Sequence, residues 1–222
     1  GGSVLAVMPT GSGKSLCYQL PALIEERLTV VVSPLIALMR DQVTQLRALG
    51  VPVATLNSMN TGDENAAARR AMRDGELRLL FISPERLVMD GLLAELRRAN
   101  PQRLAIDEAH CVSEWGHDFR PEYRQIGAAI EQLGGIQAIG LTATADQATR
   151  ADIAQRLFAT PPQVFLHSFD RPNIDLNFAA KDQPKRQLSR FLDKHRGAIS
   201  SGNPCSRDRT EQLAAYFGEQ GH

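Results

Sequence analysis

The chain has 222 residues, with 25 basic and 25 acidic side chains and therefore no formal net charge. That length suits one complete α/β domain and part of another, and the balanced charge excludes a bulk basic field, so any nucleic-acid site must be local. The isolated cysteines Cys17, Cys111 and Cys205 argue against a zinc site and a disulfide framework, and they suit a reducing compartment such as the cytoplasm.

No apolar run in the sequence is long enough to cross a membrane, and no signal peptide is present. We therefore expect no membrane partner. The chain begins without Met, directly on an apolar run, so we expect it to be a fragment of a longer protein.

Short apolar runs alternate with helical patterns along most of the chain. This alternation predicts parallel βαβ units and an α/β fold with a doubly wound, mostly parallel sheet. The predicted strands start with the run at Val4 and continue at 29–32, 53–56, 77–82, 104–106, 136–141 and 163–166. The predicted helices lie at 15–26, 35–49, 64–73, 84–98, 121–133 and 146–158. The pattern lapses near residue 179, so we predict a first domain at 1–178 and an incomplete second domain at 179–222, with helices at 185–195 and 208–219.

The first strand leads into a glycine-bearing loop and then a helix. Gly11 and Gly13 permit a tight turn that brings backbone N–H groups near an anion, and the helix directs its positive end to the same place. Lys14 adds a charge for the β and γ phosphates, and the Ser15 hydroxyl suits Mg²⁺. The alternative is a chance glycine-rich turn. The predicted ATP-binding residues are Thr10, Gly11, Ser12, Gly13, Lys14 and Ser15.

An acidic pair, Asp107 and Glu108, follows the predicted strand at 104–106, with His110 close behind. Parallel strands present their carboxyl ends to one edge of the sheet, where ligands bind. Asp107 is therefore predicted to hold Mg²⁺, and Glu108 to orient and deprotonate an attacking water. The pair alone would read as a solvated acidic turn, but beside a phosphate loop it favours hydrolysis. The zinc-protease pattern H-E-x-x-H is absent.

Two further strand ends are followed by Ser-Pro, at residues 33–34 and 83–84. Ser suits a helix N-cap and Pro suits the first helical position. The helix amides at these junctions, with Ser33, Arg40 and Arg86 nearby, could bind the phosphates of a polynucleotide. Good helix capping is the alternative, and the sequence leaves both open.

Small hydroxyl residues, Thr142 and Thr144, follow the strand predicted at 136–141. They could connect the nucleotide site to a moving neighbour. A second helix cap is the alternative, and the sequence does not decide between them.

The segment 111–123 contains the only Trp of an aromatic-poor chain. Trp115, Phe119 and Tyr123 are four residues apart, as on one face of a core helix, but Gly116 and Pro121 disfavour a continuous helix. A loop of aromatic and basic side chains can stack on unpaired bases. Because the segment begins beside the acidic pair, it offers a short route from DNA binding to hydrolysis. The predicted base-contacting residues are Trp115, His117, Phe119 and Arg120.

With these motifs the chain resembles the RecQ family of DNA helicases in superfamily 2, of the bacterial type. The resemblance rests on M-P-T-G-S-G-K-S (8–15), S-P-L-I-A-L-M-R-D-Q-V (33–43), I-S-P-E-R-L (82–87), D-E-A-H (107–110), S-E-W-G-H-D-F-R-P-E-Y (113–123), G-L-T-A-T-A (140–145) and F-D-R-P-N (169–173). It covers residues 1 to about 178 almost continuously.

The resemblance implies a helicase that moves 3′→5′ on single-stranded DNA, unwinds duplex DNA with Mg²⁺-ATP, and serves DNA repair and recombination. It implies two RecA-like lobes around the nucleotide, so the rest of the second lobe and the accessory domains are expected partners outside this sequence. Carried over by position, the phosphate and metal residues are Lys14, Ser15 and Asp107, the base is Glu108, the coupling residues are His110, Thr142 and Thr144, and the DNA sensors are Trp115, Phe119 and Arg120.

Two other functions stay open. One is a nucleotide-gated DNA-binding module that does not turn over as an isolated fragment. The other is an RNA-remodelling ATPase of the D-E-A-D type, against which the D-E-A-H sequence and the aromatic segment count.

Overall fold

The fold is taken from a computed structural model that describes residues 2–89, 91–115, 118–167, 180, 183–194 and 211. The chain divides into two compact units, Gly1–Asp170 and Arg171–His222. The predicted domain boundary between residues 178 and 179 lies outside the described residues and stays a prediction. The helix predicted at 208–219 lies outside them too, apart from Glu211.

The first unit is built on a seven-stranded sheet with the order β3-β4-β2-β5-β6-β1-β7. Every pair of neighbouring strands is parallel, which confirms the predicted doubly wound sheet. The strands are β1 Val4–Val7, β2 Thr29–Val32, β3 Val53–Leu56, β4 Leu79–Ile82, β5 Arg103–Ile106, β6 Gln137–Thr142 and β7 Gln163–Leu166.

The helices of this unit connect successive parallel strands. They are α1 Leu16–Ile24, α2 Ile36–Ala48, α3 Gly62–Arg73, α4 Pro84–Leu87, α5 Leu92–Ala99, α6 Ile126–Gln132 and α7 Gln147–Leu157. In the second unit the structure describes one helix, α8 Pro184–Lys194, close to the range predicted for it. No helix among the described residues is both apolar enough and long enough to cross a bilayer.

Two predicted helices are each divided in the structure. The helix predicted at 84–98 is two helices, α4 and α5, because Gly91 adopts a left-handed backbone with φ of 83° between them. The helix predicted at 121–133 begins as a 3₁₀ helix, Pro121–Gln125, before α6 starts. Tyr123 in that 3₁₀ helix is fully buried.

Apolar side chains cover both faces of the sheet. One core contains Val30, Val32 and Ile106, and the other contains Val31, Phe81 and Ala105. Strands β2, β4 and β5 are buried at every position, as the continuous apolar runs predict for strands covered on both faces. The rigid centre of the sheet therefore fixes where the strand ends lie.

Candidate active site

The phosphate loop leaves the carboxyl end of β1. Gly11 and Gly13 have φ of 81° and 84°, values that glycine adopts without strain. Lys14 Nζ donates hydrogen bonds to Met8 O and Pro9 O at 3.2 and 3.3 Å, so the ammonium lies across the loop. Ser15 is the N-cap of α1, and its hydroxyl makes no capping hydrogen bond. The loop thus places backbone amides, an ammonium and a hydroxyl at one helix start.

Asp107 follows β5 and faces this loop. Its Oδ2 accepts a hydrogen bond from Ser33 Oγ at 3.2 Å, and its Oδ1 accepts one from Glu108 N at 3.1 Å. Burial and the neighbouring Glu108 charge raise the pKa of the Asp107 carboxyl, while the two hydrogen bonds and the Lys14 charge act in the opposite direction. A cation beside Asp107 would therefore offset an unfavourable buried charge.

Glu108 has an unusual backbone, with φ of 49° and ψ of 47°. A non-glycine residue in this left-handed region carries strain of the kind that collects at functional sites. Its Oε2 lies 3.3 Å from His110 Nδ1. The same nitrogen lies 2.9 Å from Thr142 Oγ1. One histidine thus connects the acidic pair that follows β5 to the end of β6.

Thr142 also reaches the phosphate loop. Its carbonyl oxygen accepts a hydrogen bond from Met8 N at 3.0 Å. Its hydroxyl donates to Thr144 O at 3.0 Å and accepts from Thr144 N at 3.2 Å. The alternative of a helix cap fails for Thr142 and Thr144, because Asp146 caps α7 by accepting from Thr149 N.

The aromatic segment is a loop rather than one face of a helix. The Trp115 side chain is 80% exposed, so it does not belong to the core. Phe119 is half-buried under the Arg124 guanidinium, which lies 5.0 Å from the ring centre, and Arg124 in turn pairs with Glu114. The predicted residue His117 lies outside the described residues.

Arg120 ties this loop to a neighbouring strand end. Its Nη1 donates to Pro34 O at 3.3 Å, and its Nη2 lies 3.4 Å from Asp118 Oδ2. Pro34 follows Ser33, whose hydroxyl holds Asp107. The base-contacting segment and the acidic pair therefore share one junction.

The two Ser-Pro junctions differ from each other, and only the second has the predicted arrangement of Ser as N-cap and Pro at the first helical position. Ser33 is not an N-cap, since α2 starts at Ile36 with Leu35 as its N-cap, and the nearby Asp107 carboxylate takes the Ser33 hydrogen bond instead. Ser83 is the N-cap of α4, but its buried hydroxyl has no hydrogen-bond partner in the described part of the chain.

The two arginines beside these junctions are not held at the acidic pair. Arg86 Nη1 contacts Met89 Sδ at 3.6 Å, and Arg40 Nη2 donates to Met59 O at 3.3 Å. Both therefore stay candidates for phosphate contacts rather than members of the cluster around Asp107.

The roles of two tyrosines were missed by sequence reasoning. Tyr18 donates its hydroxyl proton to Gln42 Oε1 at 2.7 Å, joining α1 to α2. Tyr123 donates to Asp107 O at 2.9 Å and so stabilises the turn at the acidic pair. A tyrosine four residues from an aromatic neighbour reads as a core residue, and nothing in the sequence says which carbonyl its hydroxyl reaches.

The sequence profile of the DEAD/DEAH box helicase family matches residues 1–153, more than half of the chain. The chain belongs to the DEAD/DEAH box helicase family. Membership of this family implies ATP binding.

Curated relatives confirm the resemblance to the RecQ family. The chain is 44% identical over 217 residues to the ATP-dependent DNA helicase RecQ of Pasteurella multocida, covering 98% of this chain and 34% of that protein. It is 42% identical over 221 residues to the Haemophilus influenzae protein of the same name, covering 100% of this chain and 36% of that protein. The chain thus spans about a third of the length of these relatives.

Solved structures share the architecture at lower identity. The DUF1998 helicase MrfA superposes with a TM-score of 0.68 at 19% identity, over 99% of this chain and 36% of that one. The helicase domain of Hef from Pyrococcus furiosus gives 0.59 at 15% identity, over 99% of this chain and 51% of that one. These similarities establish the fold, which is a RecA-like α/β lobe.

Proposed function

We propose that this chain is the first motor lobe, residues 1–178, and the start of the second lobe, residues 179–222, of a 3′→5′ DNA helicase. The observation that carries the proposal is the network around Asp107 and His110. It joins the phosphate loop, the acidic pair and the exposed Trp115 loop through direct contacts. Coupled hydrolysis and DNA binding need these three parts within reach of one another.

ATP is the proposed substrate of the phosphate loop. A phosphate that reaches Lys14 exchanges with the Met8 and Pro9 carbonyl oxygens, which hold the ammonium weakly at 3.2 and 3.3 Å. The amides of Gly11 to Ser15 and the start of α1 add partial positive charge. The RecQ relatives are named as ATP-dependent, which supports this assignment.

Mg²⁺ fits the oxygen donors beside the loop. Ser15 offers a hydroxyl that its own helix does not use, and Asp107 offers a carboxylate whose pKa is raised by burial and by the neighbouring Glu108 charge. Hard oxygen ligands of this kind are the ones that Mg²⁺ takes. When bound, the ion would neutralise charge on the β and γ phosphates.

Glu108 is the proposed base for the attacking water. His110 and the left-handed backbone of Glu108 hold this carboxylate beside the end of β6. The proton of the water passes to Glu108, and the developing negative charge on the γ phosphate is stabilised by Lys14 and the loop amides.

DNA is the proposed second ligand, with Trp115 stacking on an unpaired base. Such a base would move the loop that Arg120 ties to Pro34, and Ser33 next to Pro34 holds Asp107. The chain of contacts offers a physical route by which strand binding changes hydrolysis. The RecQ relatives are named as DNA helicases.

The test is Glu108→Gln in the protein with both lobes. We expect ATP binding to be retained within a few-fold, and turnover to fall by about 100-fold or more, because one general base supplies about 10²–10⁴ of rate. Glu131→Gln, an exposed residue of α6, is the matched control and should keep full turnover. Undiminished ATPase activity in Glu108→Gln would reject this base.

The same assay separates the alternatives left open by the sequence. Hydrolysis stimulated by single-stranded DNA supports the motor, stimulation by RNA alone supports an RNA-remodelling ATPase, and tight binding without turnover in the two-lobed protein supports a binding module.

A further inference from the structure

Three side chains with metal-binding atoms lie together at the base of the aromatic loop. His110, Cys111 and Asp118 each place one ligand atom within 4.8 Å of the others. Cys111 Sγ lies 3.9 Å from His110 Nε2 and 3.8 Å from Asp118 Oδ2. His110 and Cys111 are buried, whereas the Asp118 side chain is 48% exposed, so an ion could enter from the Asp118 side.

These separations are close to those of a tetrahedral metal site. With metal–sulfur and metal–nitrogen bonds of about 2.3 and 2.0 Å, two ligand atoms of a tetrahedron lie roughly 3.5 Å apart. The two sulfur distances exceed that value by less than about 0.5 Å. A small closing movement of the Asp118 loop therefore completes three protein ligands, and water can supply the fourth.

The surroundings of His110 favour metal binding through Nε2. Its Nδ1 faces Thr142 Oγ1 at 2.9 Å and Glu108 Oε2 at 3.3 Å. A hydroxyl or carboxylate on the second nitrogen orients a metal-binding imidazole and increases its basicity.

We propose that His110, Cys111 and Asp118 form a regulatory site for a thiophilic divalent metal such as Zn²⁺. On binding, the Cys111 thiol releases its proton to solvent and its thiolate donates an electron pair to the metal. Asp118 exchanges its 3.4 Å contact with Arg120 for the metal. The ion thereby fixes the loop that carries Trp115 against the turn that carries His110.

Metal binding itself is independent of the proposed motor function, whereas its effect on DNA binding rests on that function. The isolated cysteines argued against a zinc site in the sequence. The structure changes that expectation for Cys111, because the Asp118 carboxylate lies 3.8 Å from its thiol.

The direct test is titration of the reduced 222-residue chain with Co²⁺. We expect one ion per chain, a tetrahedral visible spectrum with a thiolate charge-transfer band, and displacement by Zn²⁺. Cys111→Ser and the exposed Asp118→Asn should each weaken binding by at least about 100-fold, since even outer-shell changes cost about 10–100-fold. The controls Cys17→Ser and Cys205→Ser should bind as the unmodified chain does.

Absence of the thiolate band, unchanged affinity in Asp118→Asn, or loss of binding in Cys17→Ser would overturn the site. Trp115 emission tests the closure, since it should change on Zn²⁺ addition and then respond less to single-stranded DNA. An unchanged DNA response in the Zn²⁺-saturated chain would overturn the regulatory role. Co²⁺ binding together with full turnover in Glu108→Gln would support the metal site while rejecting the proposed base.

Discussion

The Asp107 carboxylate is buried beside a second acid, Glu108, and both features oppose its ionisation. Its pKa is raised by burial first and by Glu108 second. In contrast, Asp146 at the start of α7 has a lowered pKa, because its side chain accepts the Thr149 amide hydrogen bond. The two aspartates should therefore change stability with pH in opposite directions.

We predict that Asp107→Asn raises the unfolding temperature at neutral pH in the absence of Mg²⁺ and nucleotide. The folded pKa lies above the unfolded value of about 3.9, so ionised Asp107 costs stability above that range, and the cost disappears once both states are protonated. The gain should vanish as the pH falls below the unfolded pKa.

Thermal unfolding followed across the acid range measures the effect. Asp146→Asn is the control of opposite sign, with a loss at neutral pH that disappears in acid, because its folded pKa is lowered. A neutral-pH unfolding temperature for Asp107→Asn at or below that of the unmodified chain would contradict the account of Asp107.

Trp115 supports a second prediction at this scale. In the two-lobed protein, Trp115→Ala should weaken binding of single-stranded DNA by about 1–3 kcal/mol, the value of one stacked base, and leave basal ATPase activity within about twofold. Phe165→Ala, a half-exposed aromatic on the edge strand β7, is the control. Equal losses of basal and DNA-stimulated hydrolysis in Trp115→Ala would remove its role as a DNA sensor.

The residue types at the site could be predicted from sequence, but several of their partners could not. The loop glycines, Lys14 and the acidic pair follow from local motifs. The Ser33 hydrogen bond to Asp107 joins residues far apart in sequence, and a Ser-Pro pair reads locally as a helix cap. Only the adjacency of β2 and β5 in the sheet brings that carboxylate within reach.

Close packing of α6 on α7 explains why residue 127 is a glycine although it lies in a helix. A methyl group added at this position of α6 would meet the carbonyl oxygen of Arg156 in α7. Glycine costs about 1 kcal/mol relative to alanine inside a helix, so the packing of α6 on α7 outweighs that loss.

We predict that Gly127→Ala destabilises the chain by about 1–3 kcal/mol, the usual range for overpacking, despite the better helix propensity of alanine. Gly62→Ala at the start of α3 is the matched control, because nothing lies within 4 Å of its added methyl group. It should change the free energy of unfolding by less than about 0.5 kcal/mol. Urea denaturation compares the two, and equal effects would contradict the packing argument.

Periodicity predicted the existence of most elements, and it failed where backbone geometry decides the boundary. The pattern at 84–98 is continuous, yet Gly91 with its positive φ separates two helices there. The pattern at 121–133 does not reveal that this segment begins as a 3₁₀ helix, from which the Tyr123 hydroxyl donates to Asp107 O. Apolar spacing indicates which face of an element is buried, but it does not indicate the backbone dihedral angles of a single turn.

The whole molecule has no net charge, so a DNA strand must be held by a local group of cations. Among the described residues, the candidates at the carboxyl edge of the sheet are Arg40, Arg86 and Arg120, and helix amides would supply the remaining phosphate contacts. A neutral amide that binds phosphate releases no counterion, whereas an arginine takes the place of a counterion on the phosphate and releases it to solvent.

We therefore predict a shallow salt dependence for binding of single-stranded DNA by this chain. Three arginines give a slope of log affinity on log salt near −2, since each phosphate contact contributes about −0.7. Trp115 emission can follow the titration. Arg86→Ala should reduce the slope by about 0.7, and Arg73→Ala, at the end of α3 where the chain returns to the opposite edge of the sheet, should leave it unchanged. A slope steeper than about −4 would indicate a longer basic track.

One strand, β6, separates the strand of the phosphate loop from the strand of the acidic pair. Neighbouring strands stand about 4.8 Å apart because of their backbone hydrogen bonds, so β1 and β5 are roughly 10 Å apart whatever side chains they carry. Backbone pairing alone therefore sets this distance. Substitutions in the apolar core can raise or lower the stability of the lobe. They do not change the distance that a ligand must span to contact both strand ends.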